Sequence, residues 1–543
     1  MADPTPGARM AIGAVERHAA RAGAEIAAAG GNVVDAVIAA GFAQGVVNPV
    51  RAGIGGGGVL MTWDAATKKA SFLDFIGVAP LAARPDMFTP RDRFGTVHRV
   101  VGDHNRYGYL ASLVPGLVRG LDHAHRTMGS GRVSWSALLE PAITLADKGY
   151  RAFPQMAEGW QDIGDQGGLG SLSSSVAWSQ ESRRVLRRPD GGLIGVGELL
   201  CQPDYASSLR RVAEYGADDF YRGRLAEQIV ADFAAHGGVL SAQDLDSFEP
   251  YVDQPIRGSF GELTLLTQAP PSVGPTFLEL LGLMDGWYPE SADCDERYLA
   301  RLAAAMRLAF TDRTTKIGDP RYVHVPLETL LSAEYLAEQR RIIDRQIADG
   351  TDAPSPAAGV APDHDTTHVT AVDSDGNAAL LTHSIGRGSG VVTPGLGFMH
   401  NSHMNMFDPR PDSANNIGPG KRPNSGGAPV LGLHGDDLTL TLGSPAGGRK
   451  ATAMTQILMN HFRMGMSLAD SVDAPRLHIE DSPPTLEIED GLHPELAVAL
   501  GARGYQLVQY RHHARVIAIT RDRETGRLDG ASDRRGDRGL EWV

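Results

Sequence analysis

The pattern of apolar and polar positions switches between two periods along this chain. Residues 11–30 are Ala-rich at helical spacing, and Ala36 to Val46 is small and apolar nearly all round, as in a helix packed closely inside a core. Asn32 or Asp35 supplies its cap. Four glycines, Gly55 to Gly58, then run into an apolar strand over Val59 to Trp63, and Leu73 to Pro80 closes a hairpin. Val114-Pro115-Gly116 predicts a helix with Pro near its first position. From Trp135 to Ala235 the spacing is mainly that of amphipathic helix, including Leu138 to Lys148 and Leu225 to Phe233. A strand over Leu263 to Thr267 precedes helical stretches at Phe277 to Met284, Arg297 to Asp312 and Thr452 to Met464. Strands and helices alternate without a regular β-α-β beat. That favours layered α and β elements built on antiparallel sheets over a doubly wound fold.

One stretch interrupts the pattern. Asp352 to Pro362 is small and Pro-rich, a linker by composition, and it leads into Asp365-Thr366-Thr367-His368. Val369 to Thr382 then predicts two short strands about the turn Asp373 to Asn377. A loose linker that ends in Thr-Thr-His at a strand suits a chain that cuts itself before Thr366. The new N-terminal Thr would carry both the nucleophilic hydroxyl and, in its own α-amine, the base. A linker entering an edge strand has the same pattern, and these residues alone leave both readings open.

Composition narrows the class. At 543 residues the chain is long enough for two to four units, and 42% hydrophobic with 21% charged residues is ordinary for a globular protein. A formal charge of −14 with no basic stripe argues against nucleic acid. Cys201 and Cys294 provide no disulfide framework, so free thiols are expected. With neither a signal-like N-terminus nor a bilayer-length apolar run, a cytoplasmic protein without a membrane partner is expected. The Gly-rich run at Gly55 to Gly58 lacks a following Gly-Lys-Ser/Thr and precedes a strand, so nucleotide binding is not expected. Asp363, His364, Asp365 and His368 flank the linker end and are read as solvated, giving no metal and no cofactor.

Eleven short segments, taken together and in order, resemble the γ-glutamyltransferase family of N-terminal nucleophile hydrolases. They include Gly30-Gly31-Asn32, Ala52 to Gly58, Ala79-Pro80, Val114-Pro115-Gly116, Pro270-Pro271-Ser272 and Gly318-Asp319-Pro320. Thr366-Thr367-His368, Asp375-Gly376-Asn377, Lys421-Arg422-Pro423, Gly443-Ser444-Pro445 and Gly530 to Asp533 complete the set. The resemblance implies an α+β fold, a four-layer αββα sandwich, made as a proenzyme. Cleavage between Asp365 and Thr366 would give a large subunit, 1–365, and a small catalytic subunit, 366–543, which stay together and whose pair could dimerise. It further implies Thr366 as nucleophile, Ser384 in place of a second Thr that orients its amine, and the N–H groups of Ala446 and Gly447 as oxyanion donors. The methyl of Ala446 is harmless there provided that the backbone does not need positive φ.

The recognition end departs from the family. Ile76 stands where an Arg holds the donor carboxylate, and Met406 where an acid holds its ammonium. Gly386 replaces an Asn, His403 a Gln or Glu, and Gly426 the second of two serines, with Ser425 retained. Each lost charge-assisted contact is worth about 1.5–3 kcal/mol, so a γ-glutamyl donor should bind poorly. Arg51 and Arg387, in Gly-rich loops, are the candidate replacements for clamping an acidic group, unless each pairs with a structural acid. The expectation is a Thr hydrolase cleaving an amide or related acyl bond in a small molecule. Alternatives are a γ-glutamyl hydrolase or transferase with altered anchors, a C–C bond hydrolase of a pyrroline antibiotic pathway, and a processing-dead binding protein.

Overall fold

The computed structural model describes residues 7–94, 97–161, 172–188, 190–287, 295–355, 366–482, 484–510 and 514–543. Asp363, His364, Asp365, the linker from Pro356 onward and Cys294 therefore lie outside the described residues, while Cys201 is an exposed free thiol. Thirteen strands build two large sheets. In chain order they are β1 (Met10–Ala14), β2 (Gly57–Asp64), β3 (Lys69–Phe75), β4 (Tyr251–Asp253), β5 (Ile256–Phe260), β6 (Leu263–Thr267) and β7 (Thr367–Asp373). Then come β8 (Ala378–Ser384), β9 (Val430–His434), β10 (Asp437–Gly443), β11 (Ile517–Arg521), β12 (Leu528–Ser532) and β13 (Gly539–Trp542). One sheet runs β13-β1-β7-β8-β2-β3-β4 and the other β12-β11-β10-β9-β6-β5, with every pairing antiparallel.

Three cores follow from this arrangement. Val59, Met61 and Trp63 of β2 meet Leu266, Leu431 and Ile519 of the other sheet in an apolar layer between the two. Against the outer face of the first sheet pack α1 (Arg17–Ala28), α2 (Val33–Val47) and α3 (Leu117–Met128), with α4 (Trp135–Lys148) laid on α2. Against the second pack α5 (Gly274–Met284) and α7 (Arg449–Phe462), with α6 (Glu296–Lys316) laid on α5. All fifteen residues of α2 are buried, which its all-round apolar sequence requires, and Asn32 caps it in a reciprocal box with Asp35. The fold is mixed α and β, and among the described residues no helix is long and apolar enough to cross a membrane.

Two expectations need correcting. The stretch 11–30 is not one helix: Met10–Ala14 is a strand wedged between β7 and β13, and the helix begins only at Arg17. The run Met10-Ala11-Ile12-Gly13-Ala14-Val15 is buried on both faces, and a continuous apolar run fits a central strand as well as a helix. Pro115 also lies before its helix rather than at the first position, since Gly116 is the cap residue.

Behind the first residue of β7 sits a buried polar cluster. Glu16 accepts hydrogen bonds from Gln44 Nε2 (2.8 Å), Asn48 Nδ2 (2.7 Å) and Thr367 Oγ1 (2.7 Å). Gln44 also reaches the His368 carbonyl at 2.9 Å and, through Oε1, the His383 ring at 2.9 Å. Replacing Gln44 by Leu strands a buried carboxylate and should cost about 3 kcal/mol. Adding Glu16→Gln to that variant should recover part of the loss. Denaturant midpoints check this, and a Gln44→Leu protein as stable as wild type would remove the cluster from any structural role.

Candidate active site

A pocket partly open to solvent lies where the ends of β7, β8 and α7 converge. Thr366 lines it, half-buried, immediately before β7. β7 and β8 pair with Thr367 opposite His383, and continuing that register by one residue puts Thr366 opposite Ser384. The two hydroxyl residues are thus cross-strand neighbours at the open end of a hairpin. Ser384 accepts a hydrogen bond from the Gly386 N–H at 2.7 Å and donates to the Arg51 carbonyl at 3.4 Å. His368, two residues on and therefore on the same face as Thr366, bonds Thr382 (2.8 Å) and Thr370 (2.7 Å). Its ring fills the space beside Gly443, where a Cβ would stand 1.9 Å from Nε2, and burial pushes its pKa down to about 3. It is a neutral strut.

The glycine run has a steric reason. A Cβ on Gly56 would meet the Ser384 carbonyl at 2.1 Å, and one on Gly57 the Ile76 carbonyl at 2.2 Å. Only bare backbone lets β2 pass between these two pocket walls. Ile76 itself is fixed by its N–H bond to Asp74 (3.0 Å), whose other oxygen takes Arg422 Nη1 at 2.9 Å, while Arg422 Nη2 holds Asp319 at 3.1 Å. Three segments far apart in sequence meet in that one buried ion triad.

The remaining candidates divide. Ser425, Gly386, Arg387 and His403 all line the pocket, as do Ile76 and Met406. Burial lowers the His403 pKa to about 4, so its ring is neutral, and it bonds the Ile76 backbone. The Arg387 loop is buttressed by Ser175, whose hydroxyl donates to the carbonyls of Arg387 (2.8 Å) and Gly388 (2.9 Å). Arg51 is not brought to the wall: its carbonyl supports Ser384 and Ile385 from behind. Gly447 lines the pocket, whereas the Ala446 side chain belongs to the core under α7.

Three pocket cations escaped the sequence reading. Arg106, Arg313 and Lys450 join Arg387, and among the described lining residues there is no carboxylate. Burial and the neighbouring Arg387 charge hold Arg106 below its ordinary pKa. Lys450 had a legible signal, a Lys three residues after Gly447 in a Gly-rich helix start. Arg106 and Arg313 had none, because nothing local marks which side of a loop or helix meets a distant strand end.

Ala446 does adopt positive φ, at 91°, so the condition on its methyl is not met. A non-Gly residue there carries about 1–3 kcal/mol of strain. Ala446→Gly should therefore be neutral or stabilise by about 1 kcal/mol, where a buried Ala→Gly change ordinarily costs about 0.5–1 kcal/mol. A denaturant titration showing the ordinary loss would mean the strain is not there.

Comparison with known proteins agrees with this geometry. The family model described as Gamma-glutamyltranspeptidase matches residues 19–542. The chain is 32% identical to a glutathione hydrolase proenzyme of Pseudomonas sp. (strain A14), over 96% of this chain and 92% of that one. It is also 32% identical to the Acylase ACY 1 proenzyme of Pseudomonas sp. (strain SE83), over 98% and 93%. The crystal structure of cephalosporin acylase from Bacillus halodurans superposes with a TM-score of 0.86 at 28% identity, covering 99% of this chain and 96% of that one. The chain belongs to the gamma-glutamyltranspeptidase family of N-terminal nucleophile hydrolases.

Proposed function

We propose that the protein is a self-cleaving Thr hydrolase, an αββα sandwich, that cuts an amide or related acyl bond in an acidic small molecule other than a standard γ-glutamyl donor. The observation that carries this is the pocket itself. Thr366, Ser384 and Gly447 share it with Ile76 and Met406, and among the described lining residues the charged ones are all cations. The residues that the family resemblance makes catalytic thus sit beside a wall that offers no carboxylate to a zwitterionic head group.

In maturation, Thr366 Oγ attacks the Asp365 carbonyl carbon and the peptide nitrogen leaves as the Thr366 α-amine. Water then hydrolyses the resulting ester, freeing the Asp365 carboxylate and Thr366. In turnover, the α-amine takes the Oγ proton as Oγ attacks the substrate carbonyl, then delivers it to the leaving nitrogen. The N–H groups of Ala446 and Gly447 face the oxyanion, and water releases the acid from the Thr366 ester. Ser384, opposite Thr366, orients the amine. Arg387, with Arg106 beside it, anchors an acidic group of the substrate. Mature enzyme would then consist of 1–365 and 366–543.

A second reading, γ-glutamyl hydrolysis with new anchors, draws on relatives named glutathione hydrolases. Ile76 and Met406 weigh against it, since neither can hold a charge.

Denaturing gels and intact masses should show two fragments of about 39 and 19 kDa, as expected from 57.8 kDa over 543 residues, and Thr366→Ala should stay whole. A wild-type chain that remains single on prolonged incubation removes the mechanism. Hydrolysis of a γ-glutamyl anilide should be very weak, and efficient turnover at low KM would restore the second reading. Once an acidic substrate is found, Arg387→Lys should lower kcat/KM on the order of tenfold or more while leaving maturation intact.

A further inference from the structure

Arg313 and Lys450 are not used by the anchoring just described. Arg313, on α6, is 2% exposed and lines the pocket. Its Nη2 donates to the carbonyls of Asn424 (3.3 Å) and Ser425 (3.0 Å), but Nε and Nη1 make no hydrogen bond. Glu480 and Asp481 attract it without hydrogen-bonding it; Asp481 is taken by Arg93 at 2.9 Å, and Glu480 lies 3.3 Å from His478. Beside it, Lys450 sits in the first turn of α7, likewise 2% exposed and lining the pocket. A Lys there faces the positive end of a helix dipole and a neighbouring guanidinium while itself nearly all buried. Two buried cations side by side, one of them with two unmade donors, are costly unless an anion completes them.

We propose that Arg313 and Lys450 form a second anion seat in the pocket, separate from Arg106 and Arg387, so that the preferred small molecule carries two anionic groups. The name "substrate" for that molecule rests on the hydrolase reading above; its binding does not. Burial and Arg313 hold the Lys450 pKa at about 7, Arg313 itself is lowered only to about 10, and His368 and His383 lie at about 3. Of the groups that face one another here, Lys450 changes charge between pH 6 and 9, as does the Thr366 α-amine once cleavage frees it. The seat is fully charged below pH 7 and loses one charge above it, so dianion binding weakens as pH rises.

Calorimetry on the mature protein with the dicarboxylates oxalate to adipate, against acetate to hexanoate, tests this. At pH 6 one diacid should bind at least tenfold more tightly than the monoacid of equal length. At pH 8 its binding should weaken and take up a proton, a signal that shifts with the ionisation enthalpy of the buffer. Lys450→Met should abolish the diacid preference and spare monoacid binding, and Lys450→Arg should keep the preference and leave only the pH dependence that monoacid binding shares. A wild-type protein without diacid preference overturns the proposal whatever the variants do. So does a preference that survives Lys450→Met, or a variant that loses kcat alone. A single band on the gel would instead sink the hydrolase reading and leave the binding result standing.

Discussion

The strand register at the mouth of the pocket depends on holding the residue after Thr366 still. Thr367 is bonded to Glu16, and Glu16 to Gln44 and Asn48, all buried and anchored on α2, a helix with no exposed residue to yield. Hydrogen bonds to a carboxylate are worth about 1.5–3 kcal/mol each and are lost steeply when geometry slips. A shift of β7 by one residue would also turn His368 into α2 and Thr367 into the other sheet. The register that sets Thr366 opposite Ser384 is therefore enforced from behind, by residues that never touch the pocket.

The charges near the pocket do two different jobs. Arg422 gives Nη1 to Asp74 and Nη2 to Asp319, and what it gains is the position of Ile76 and the wall. Burial alone would raise the Asp319 pKa, but Arg321 and Arg422 more than offset it and bring it to about 2, whereas burial leaves Asp74 raised above its ordinary value. Arg313 is equally buried yet keeps donors to spare. One arrangement sets positive charge against two hydrogen-bonded carboxylates; the other leaves two guanidinium donors without a hydrogen bond. Ile76 and Met406 sharpen the difference, since among the described lining residues there is no carboxylate for an ammonium group to approach.

Much of the fold was legible where local chemistry decides it. The β6 strand, the hairpin about Asp373 to Asn377 and the capped, wholly buried α2 follow directly from period and turn residues. β1 did not, because an apolar run buried on both faces has no period to reveal a strand. At the site, Ser384 was readable only through the family resemblance, whereas Arg51 and Arg387 looked equivalent in sequence, yet Arg387 lines the pocket while the Arg51 carbonyl supports Ile385 from behind. The positive φ of Ala446 was likewise invisible, since an alanine carries no sign of the conformation imposed on it.

The order of strands has a consequence for the protein's life after a cut before Thr366. β7 and β8 would then lie between β1 and β2 of the other piece, and β9 would pair with β6 across the second sheet. The pieces would share both sheets and all three cores, with no flat boundary along which to part. Their dissociation would have to pass through unfolding, so the half-life of the pair would be set by the barrier to melting the sheets and not by any binding constant, and dilution would leave it untouched.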